Sequence, residues 1–242
     1  MKTAIIHYWL VGMRGGERVL ELLCDLYPDA DIFTHVLNPT AISDRLKAHR
    51  ITTTFINRLP GASKNYTRYL PLMPLALEEL DLSAYDLVIS SESGPAKGVI
   101  TRPDATHVCY CHTPMRYLWD QYHHYRAEAG PLTRVAMSLF FHRMRQWDVT
   151  SAARVDRFVA NSRFVRERIR KYYRRDADVV PPPVDLDSFS LSTETDGYYL
   201  FVGELVPYKR AEVAIRACAM MGRPLIVVGD GPEFRRLKSI SS

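Results

Sequence analysis

The chain has 242 residues, 47% of them apolar and 24% charged, with a formal net charge of +5. That balance describes an ordinary globular protein with room for one large domain or two modest ones, and it excludes a disordered chain. No apolar run approaches the ~20 residues of a membrane span, and one lysine before a short strand-like run containing His7 does not make a secretory signal, so a cytoplasmic protein is expected.

The first predicted element is an apolar strand over residues 3–9. It runs into Gly12-Met13-Arg14-Gly15-Gly16-Glu17-Arg18 and a helical pattern over 16–26. Glycines at a strand-to-helix turn let backbone approach an anion, and the helix N-terminus supplies unpaired N–H groups. The spacing is not Gly-x-Gly-x-x-Gly. Strand two, residues 31–36, ends near Asn38 with no acid placed to hold a ribose. Both points count against a dinucleotide-dependent oxidoreductase.

Further strands are predicted over 87–90, 106–111, 157–160 and 178–180, with helical patterns over 131–147 and 163–173. Alternation of this kind predicts a doubly wound parallel sheet whose ligands bind at the carboxyl ends of the strands. The glycine turn at 12–16 and His112 both fall there. A lone histidine before Thr113-Pro114 is a structural residue about as often as a functional one. Cys109-x-Cys111-His112 has the look of a metal cluster, but no second Cys or His pair lies at zinc spacing. It reads instead as a buried strand with cysteine at alternate positions, and no metal is expected. Four scattered cysteines also exclude a disulfide framework.

From Arg154 to Arg175 there are nine basic residues and two acidic ones, a local +7 that leaves the remainder at −2. Such a belt can attract anionic lipid, nucleic acid or a phosphorylated substrate. Ser162 is placed to cap the helix, with Val165, Ile169 and Tyr172 along one face. A packed helix with a solvated arginine face is the plainer reading. Nucleic acid is disfavoured, because no recognition module accompanies the charge.

Pro181-Pro182-Pro183-Val184-Asp185 can continue neither a helix nor a central strand, and a polar stretch over 188–197 follows. The expected division is a first domain over 1–180, a linker over 181–197 and a second domain from 198. There the pattern restarts: a strand over 198–202, Gly203-Glu204-Leu205-Val206-Pro207-Tyr208-Lys209-Arg210, a helix over about 208–221, a strand over 225–228, and Gly229-Asp230-Gly231-Pro232 opening a helix. This β-α-β-α unit is roughly 100 residues short of a typical domain, so a second domain begun but not completed is expected. Lys209 after its strand suits a diphosphate as a point charge. One glycine loop and one lysine loop, each after a strand, suggest a phosphate-bearing ligand held between two domains.

Several segments, taken together and in order, resemble retaining glycosyltransferase family 4. They are Gly15-Gly16-Glu17-Arg18-Val19-Leu20-Glu21, Tyr110-Cys111-His112-Thr113-Pro114-Met115-Arg116, Val159-Ala160-Asn161-Ser162-Arg163-Phe164-Val165, Pro182-Pro183-Val184-Asp185, residues 201–210 and Val228-Gly229-Asp230-Gly231-Pro232-Glu233. The likeness is to mannosyltransferase-type enzymes of bacterial polysaccharide and O-antigen assembly, and Tyr69-Leu70-Pro71-Leu72-Met73-Pro74-Leu75-Ala76 is similar to that subgroup too. The resemblance implies an α/β chain of GT-B type: a complete N-terminal Rossmann-like domain on the acceptor side, then the beginning of a second Rossmann-like domain that binds the nucleotide sugar.

It further implies transfer of a hexose, mannose favoured, from a nucleotide-diphosphate sugar such as GDP-mannose to a glycan or lipid-linked acceptor, with retention and with no cofactor or metal. Carried over by position, Gly15 and Gly16 would let backbone approach the donor, His112 would contact the sugar, Lys209 would neutralise the diphosphate, and Gly229 and Gly231 would shape the nucleotide loop. Glu204 stands where the family usually has arginine; a carboxylate there would repel the leaving group, which makes it a doubtful donor ligand. The family's Glu-x7-Glu segment is not found beyond that point. Glu204 and Glu212 match its spacing by coincidence, without the surrounding motif. The 242-residue chain is therefore expected to turn over poorly by itself. A non-catalytic acceptor-binding or membrane-docking piece, peripheral on the cytoplasmic face through the Arg154–Arg175 belt, is the alternative.

Overall fold

Strand β1 (Thr3–His7) is buried at all five positions. A continuous apolar run of that kind belongs in the middle of a parallel sheet covered on both faces. In the computed structural model, which describes residues 1–184, 186 and 190–240, it does lie there. The larger of two units, Met1–Val184, is built on a seven-stranded sheet of order β3-β2-β1-β4-β5-β6-β7, every pair parallel.

In chain order β1 leads to α1 (Gly15–Leu26), β2 (Asp31–Thr34), α2 (Asp44–Lys47), β3 (Ile51–Thr53), α3 (Ala62–Asn65), a 3-10 segment Tyr66–Leu72, and α4 (Met73–Glu78). The chain then crosses back to β4 (Leu87–Glu92) and continues through β5 (Thr106–Cys111), α5 (Tyr122–Glu128), α6 (Pro131–Ala152), β6 (Arg157–Ala160), α7 (Arg163–Tyr173) and β7 (Ala177–Val179). Successive side chains of β1 enter different cores. Ile5 packs with Leu20, Cys24, Ile32 and Leu46, under α1 and α2. Ala4 and Ile6 pack with Phe33, Leu77, Leu82 and Val88, on the side of α4.

Several boundaries differ from the sequence expectation: β1 stops at His7 instead of Trp9, β4 runs on from Ser90 to Glu92, and β7 lies one residue earlier, at Ala177–Val179. β2 stops at Thr34 instead of Val36, because the buried His35 ring turns to Thr54 and to the carbonyl of Pro95. α6 runs five residues past 147, its last turn burying Asp148, Ser151 and Ala152. The three-residue edge strand β3 has no strand signal of its own. Ser162 does cap α7, accepting from the Val165 amide at 3.2 Å.

The smaller unit, Asp185–Ser242, pairs β8 (Tyr199–Val202) with β9 (Leu225–Val228) in parallel and adds α8 (Ala211–Met221) and α9 (Phe234–Ile240). The helix expected from about 208 starts later. Pro207–Lys209 is a 3-10 turn, and Arg210 at φ 50° resets the backbone before α8. Leu205, Ala211, Ile215 and Leu237 form its core against Phe201, Leu225 and Val227. The alternate residues Leu200, Val202, Ile226 and Val228 are 45–68% exposed. The division between units falls inside the proline-rich segment 181–197. Asp185 of the Pro-Pro-Val-Asp motif and Ser188 and Phe189 of the polar stretch's approach lie outside the described residues. Among the described residues no helix is long and apolar enough to cross a membrane.

Candidate active site

The strand order reverses between β1 and β4: β1 is followed on one side by β2 and on the other by β4. A parallel sheet opens a crevice at such a switch point, beyond the carboxyl ends of its strands. His7, the last residue of β1, is in register with Ser91 near the end of β4. His112 follows the last residue of β5. The Ser91 hydroxyl meets both rings, at 3.0 Å from His7 Nδ1 and 2.9 Å from His112 Nε2. Behind His7, Nε2 lies 3.7 Å from Oε1 of Glu17 in the first turn of α1. Four side chains from four elements thus form one line.

Glu17 is held twice. Its Oε2 accepts from the Arg14 amide at 2.9 Å, the reach-back contact of a capping box. Burial alone would raise its carboxyl, but His7 and the local amides outweigh burial and set it below its ordinary value. Negative charge is also favoured at a helix N-terminus. His112 is pushed down to about 4, by burial first and by the neighbouring His7 second, so its ring is neutral at pH 7. Tyr8 and Tyr110 present ring edges to it at 6.5 and 5.2 Å.

The two adjacent glycines do different work. A Cβ on Gly16 would fall 2.2 Å from the Tyr8 hydroxyl, which is itself buried, so this glycine is needed for α1 to seat against β1. A Cβ on Gly15 would meet nothing within 4 Å, nor would one on Gly12. Open space beside a helix N-terminus at a sheet's switch point is where an anionic or sugar ligand can approach backbone N–H groups.

Near the end of β4 lies a fully buried ionic cluster that no sequence pattern signalled. Lys97 donates to Glu92 Oε1 at 2.9 Å and also to Asp148 Oδ1, while Glu92 Oε2 accepts from the Lys97 amide at 2.7 Å. Trp119 Nε1 and the Tyr173 hydroxyl complete Asp148 at 2.8 and 3.0 Å. Burial disfavours charge on Lys97, yet the two carboxylates win and hold it above its ordinary value. Burial raises Glu92. The Glu92 carbonyl in turn accepts from the His112 amide at 2.8 Å. The cluster therefore anchors the backbone that carries Ser91 and His112.

In the smaller unit, Gly203 follows β8 beside the exposed Lys209; a Cβ on Gly203 would lie 3.1 Å from Lys209 Nζ. A Cβ on Gly229 would fall 1.9 Å from the Gly203 carbonyl oxygen, and one on Gly231 would fall 2.5 Å from that of Leu205. Both are collisions with backbone, so glycine there permits two loops to touch. The carbonyl of Asp230 accepts from the Leu205 amide at 2.8 Å across the same contact. Glu204 is half-buried between these positions.

Cys109 and Cys111 are both fully buried, packed with Phe158, Val165 and Ile169, whereas His112 turns to Ser91. Among the described residues no group of three or more His, Cys, Asp or Glu is arranged to hold a metal. The basic belt is partly consumed by the fold. Arg168 is buried on Asp120 at 2.5 Å, Arg154 pairs with Glu78 at 2.7 Å, and Arg175 donates to the carbonyls of Ala152 and Val155. An apolar cavity of about 550 Å³ lies elsewhere in this unit, between the 3-10 segment and α6, lined by Trp9, Leu70, Tyr117, Met137 and Phe141 among others.

Comparison with known proteins identifies the family and the fold. A family model described as Glycosyltransferase Family 4 matches residues 13–188. No curated protein matches the chain. Among solved structures, the apo form of the lipopolysaccharide outer core galactosyltransferase WaaB is 15% identical, with a TM-score of 0.56 over 100% of this chain and 64% of its own. HepE from Anabaena in complex with UDP is 14% identical, with a TM-score of 0.60 over 99% of this chain and 64% of its own. The same protein with UDP and glucose gives 0.58, over 99% and 65%. These likenesses show the fold, an α/β chain of the GT-B kind, and this chain spans about 64% of the length of the structures it matches.

Proposed function

The chain belongs to glycosyltransferase family 4, and we propose that it serves the retaining transfer of a hexose, mannose favoured, from a nucleotide-diphosphate sugar to a glycan or lipid-linked acceptor. The observation that carries this reading is the Glu17–His7–Ser91–His112 line at the switch point, beside the helix start at Gly15-Gly16. A neutral imidazole and open backbone N–H groups suit a sugar with a phosphate attached, since they supply hydrogen bonds without trapping charge. That one structural relative was solved with UDP and glucose supports a nucleotide-sugar donor in general; GDP-mannose stays the favoured donor on the motif resemblance.

In this reading His112 contacts the transferred sugar and Gly15 gives it backbone access, while Gly16 seats the helix. Lys209 meets the diphosphate, where negative charge grows as the glycosidic bond breaks. Gly229 and Gly231 shape the loop beside the nucleotide, and Glu204 remains a doubtful ligand. No cofactor or metal is assigned. The basic belt offers Arg157, Arg163, Lys171 and Arg174 as exposed cations for an anionic membrane surface, a weaker element because Arg154, Arg168 and Arg175 are engaged internally.

The test is incubation of the gene product with radiolabelled GDP-mannose, and in parallel UDP-hexoses, against glycan and lipid-linked acceptors. Label entering the acceptor with the donor's anomeric configuration is expected. Transfer with inversion overturns retention, and no transfer from any nucleotide sugar overturns the reading.

A further inference from the structure

Ser91 has one hydroxyl proton and two imidazole nitrogens within hydrogen-bond distance, His7 Nδ1 at 3.0 Å and His112 Nε2 at 2.9 Å. It can donate to one ring only, so the other ring must donate to it. Which one is decided at the far end of the line. His7 Nε2 is buried with no hydrogen-bond partner, and what it faces at 3.7 Å is the Glu17 carboxylate. A lone pair directed at a carboxylate is repelled and an N–H is attracted, so when the His7 ring is neutral its one proton resides on Nε2. His7 Nδ1 is then an acceptor, and Ser91 must donate to it. The Ser91 oxygen is left to accept, and among the described residues its partner for that is Nε2–H of His112.

We propose that Glu17, His7 and Ser91 are positioning residues that fix His112 as its Nε2–H tautomer, leaving Nδ1 as a hydrogen-bond acceptor for a ligand hydroxyl. His112 Nδ1 has no hydrogen-bond partner among the described residues, and the ring is half-buried at the mouth of the crevice. The arrangement parallels the general rule that the hydrogen bond at one imidazole nitrogen sets the chemistry of the other. It assigns His112 a definite preference: it accepts from a sugar hydroxyl and does not donate to a phosphate oxygen. This rests on the reading of His112 as a sugar contact, but the tautomer exists whether or not sugar is transferred.

The experiment is a long-range 15N–1H correlation spectrum of the 242-residue chain labelled at histidine, at neutral pH, with His7 and His112 assigned by single substitutions. The expected pattern is an Nε2–H tautomer for both rings. Ser91→Ala should leave His112 as an average of both tautomers, and Ser91→Thr should restore the Nε2–H form. An Nδ1–H tautomer at His112, a doubly protonated His7, or an unchanged His112 signal in Ser91→Ala would each overturn the proposal. The wild-type spectrum alone decides the first two, should the variant fail to fold. A sugar-transfer assay that fails while these spectra hold would remove the transferase reading and leave the tautomer line standing.

Discussion

The glycine loop of the larger unit and the lysine loop of the smaller one look alike in sequence, each following an apolar strand, yet they stand on different foundations. The first ends a central strand of a seven-stranded sheet, and its neighbours His7, Glu17 and Ser91 are buried, with His7 bonded to Ser91 and facing the Glu17 carboxylate. The second ends one of two strands, with Lys209 exposed and one sheet face of Leu200, Val202, Ile226 and Val228 open. Polar groups in the first are fixed by low-dielectric surroundings, where misplacement is costly. In the second, geometry comes from backbone contacts between glycines, and the charge is free to sample solvent. Substitutions of those buried groups should therefore register as stability changes in the first region, and substitution of the exposed Lys209 as a ligand-affinity change in the second.

The largest contrast is expected between two lysines. Lys97→Met leaves Glu92 and Asp148 buried without a cation and should lower unfolding stability by about 3–5 kcal/mol in urea titrations, while Lys209→Met, at an exposed site, should change it by less than about 0.5 kcal/mol. Equal effects would erase the distinction. Acid should act mainly on the larger unit. His35, His107 and His112 are each pushed down to about 4, by burial first. The unfolded chain then binds more protons than the folded one between pH 6.5 and 4. Stability should fall as pH drops through that window, by up to about 1.4 kcal/mol per pH unit for each ring. Glu92, raised by burial, opposes this above its ordinary value of 4.5. Thermal melts from pH 7 to 4 check the slope.

Next in size are the glycines. Gly16→Ala, with its Cβ 2.2 Å from Tyr8 Oη, should cost about 1–3 kcal/mol as an overpacked site. Gly15→Ala, with open space at the same helix start, should be neutral or slightly stabilising, since alanine is the better helix former by up to ~1 kcal/mol. Their separation by chemical denaturation would show that the adjacent glycines serve packing and access respectively. A similar loss in both would contradict it.

Much of the fold was legible. Continuous apolar runs for β1 and β4, alternating with amphipathic helices, give a parallel sheet, and Ser162 marks the start of α7. What local pattern could not carry was strand order. His7 sits in an apolar run and reads as strand interior, Glu17 reads as an ordinary first-turn acid, and Ser91 is one serine among several. They become a line only because β1 lies between β2 and β4. His112 and Gly15-Gly16 were legible through motif, yet the motif did not separate Gly16's packing against Tyr8 from Gly15's openness. Lys97 and Asp148, 51 residues apart in sequence, carry no signal at all before the chain is folded. The short strand β3 and the break at Arg210 were missed because three residues and one left-handed φ leave no periodicity.

The most direct test of the account is the rate of sugar transfer by the wild-type gene product and by His112→Gln, with melting temperature measured on the same samples. The account predicts a fall of about a hundredfold or more, the scale on which removing one well-placed polar contact from a transition state is felt, with melting essentially unchanged. A His112→Gln protein that transfers sugar at the wild-type rate would contradict it.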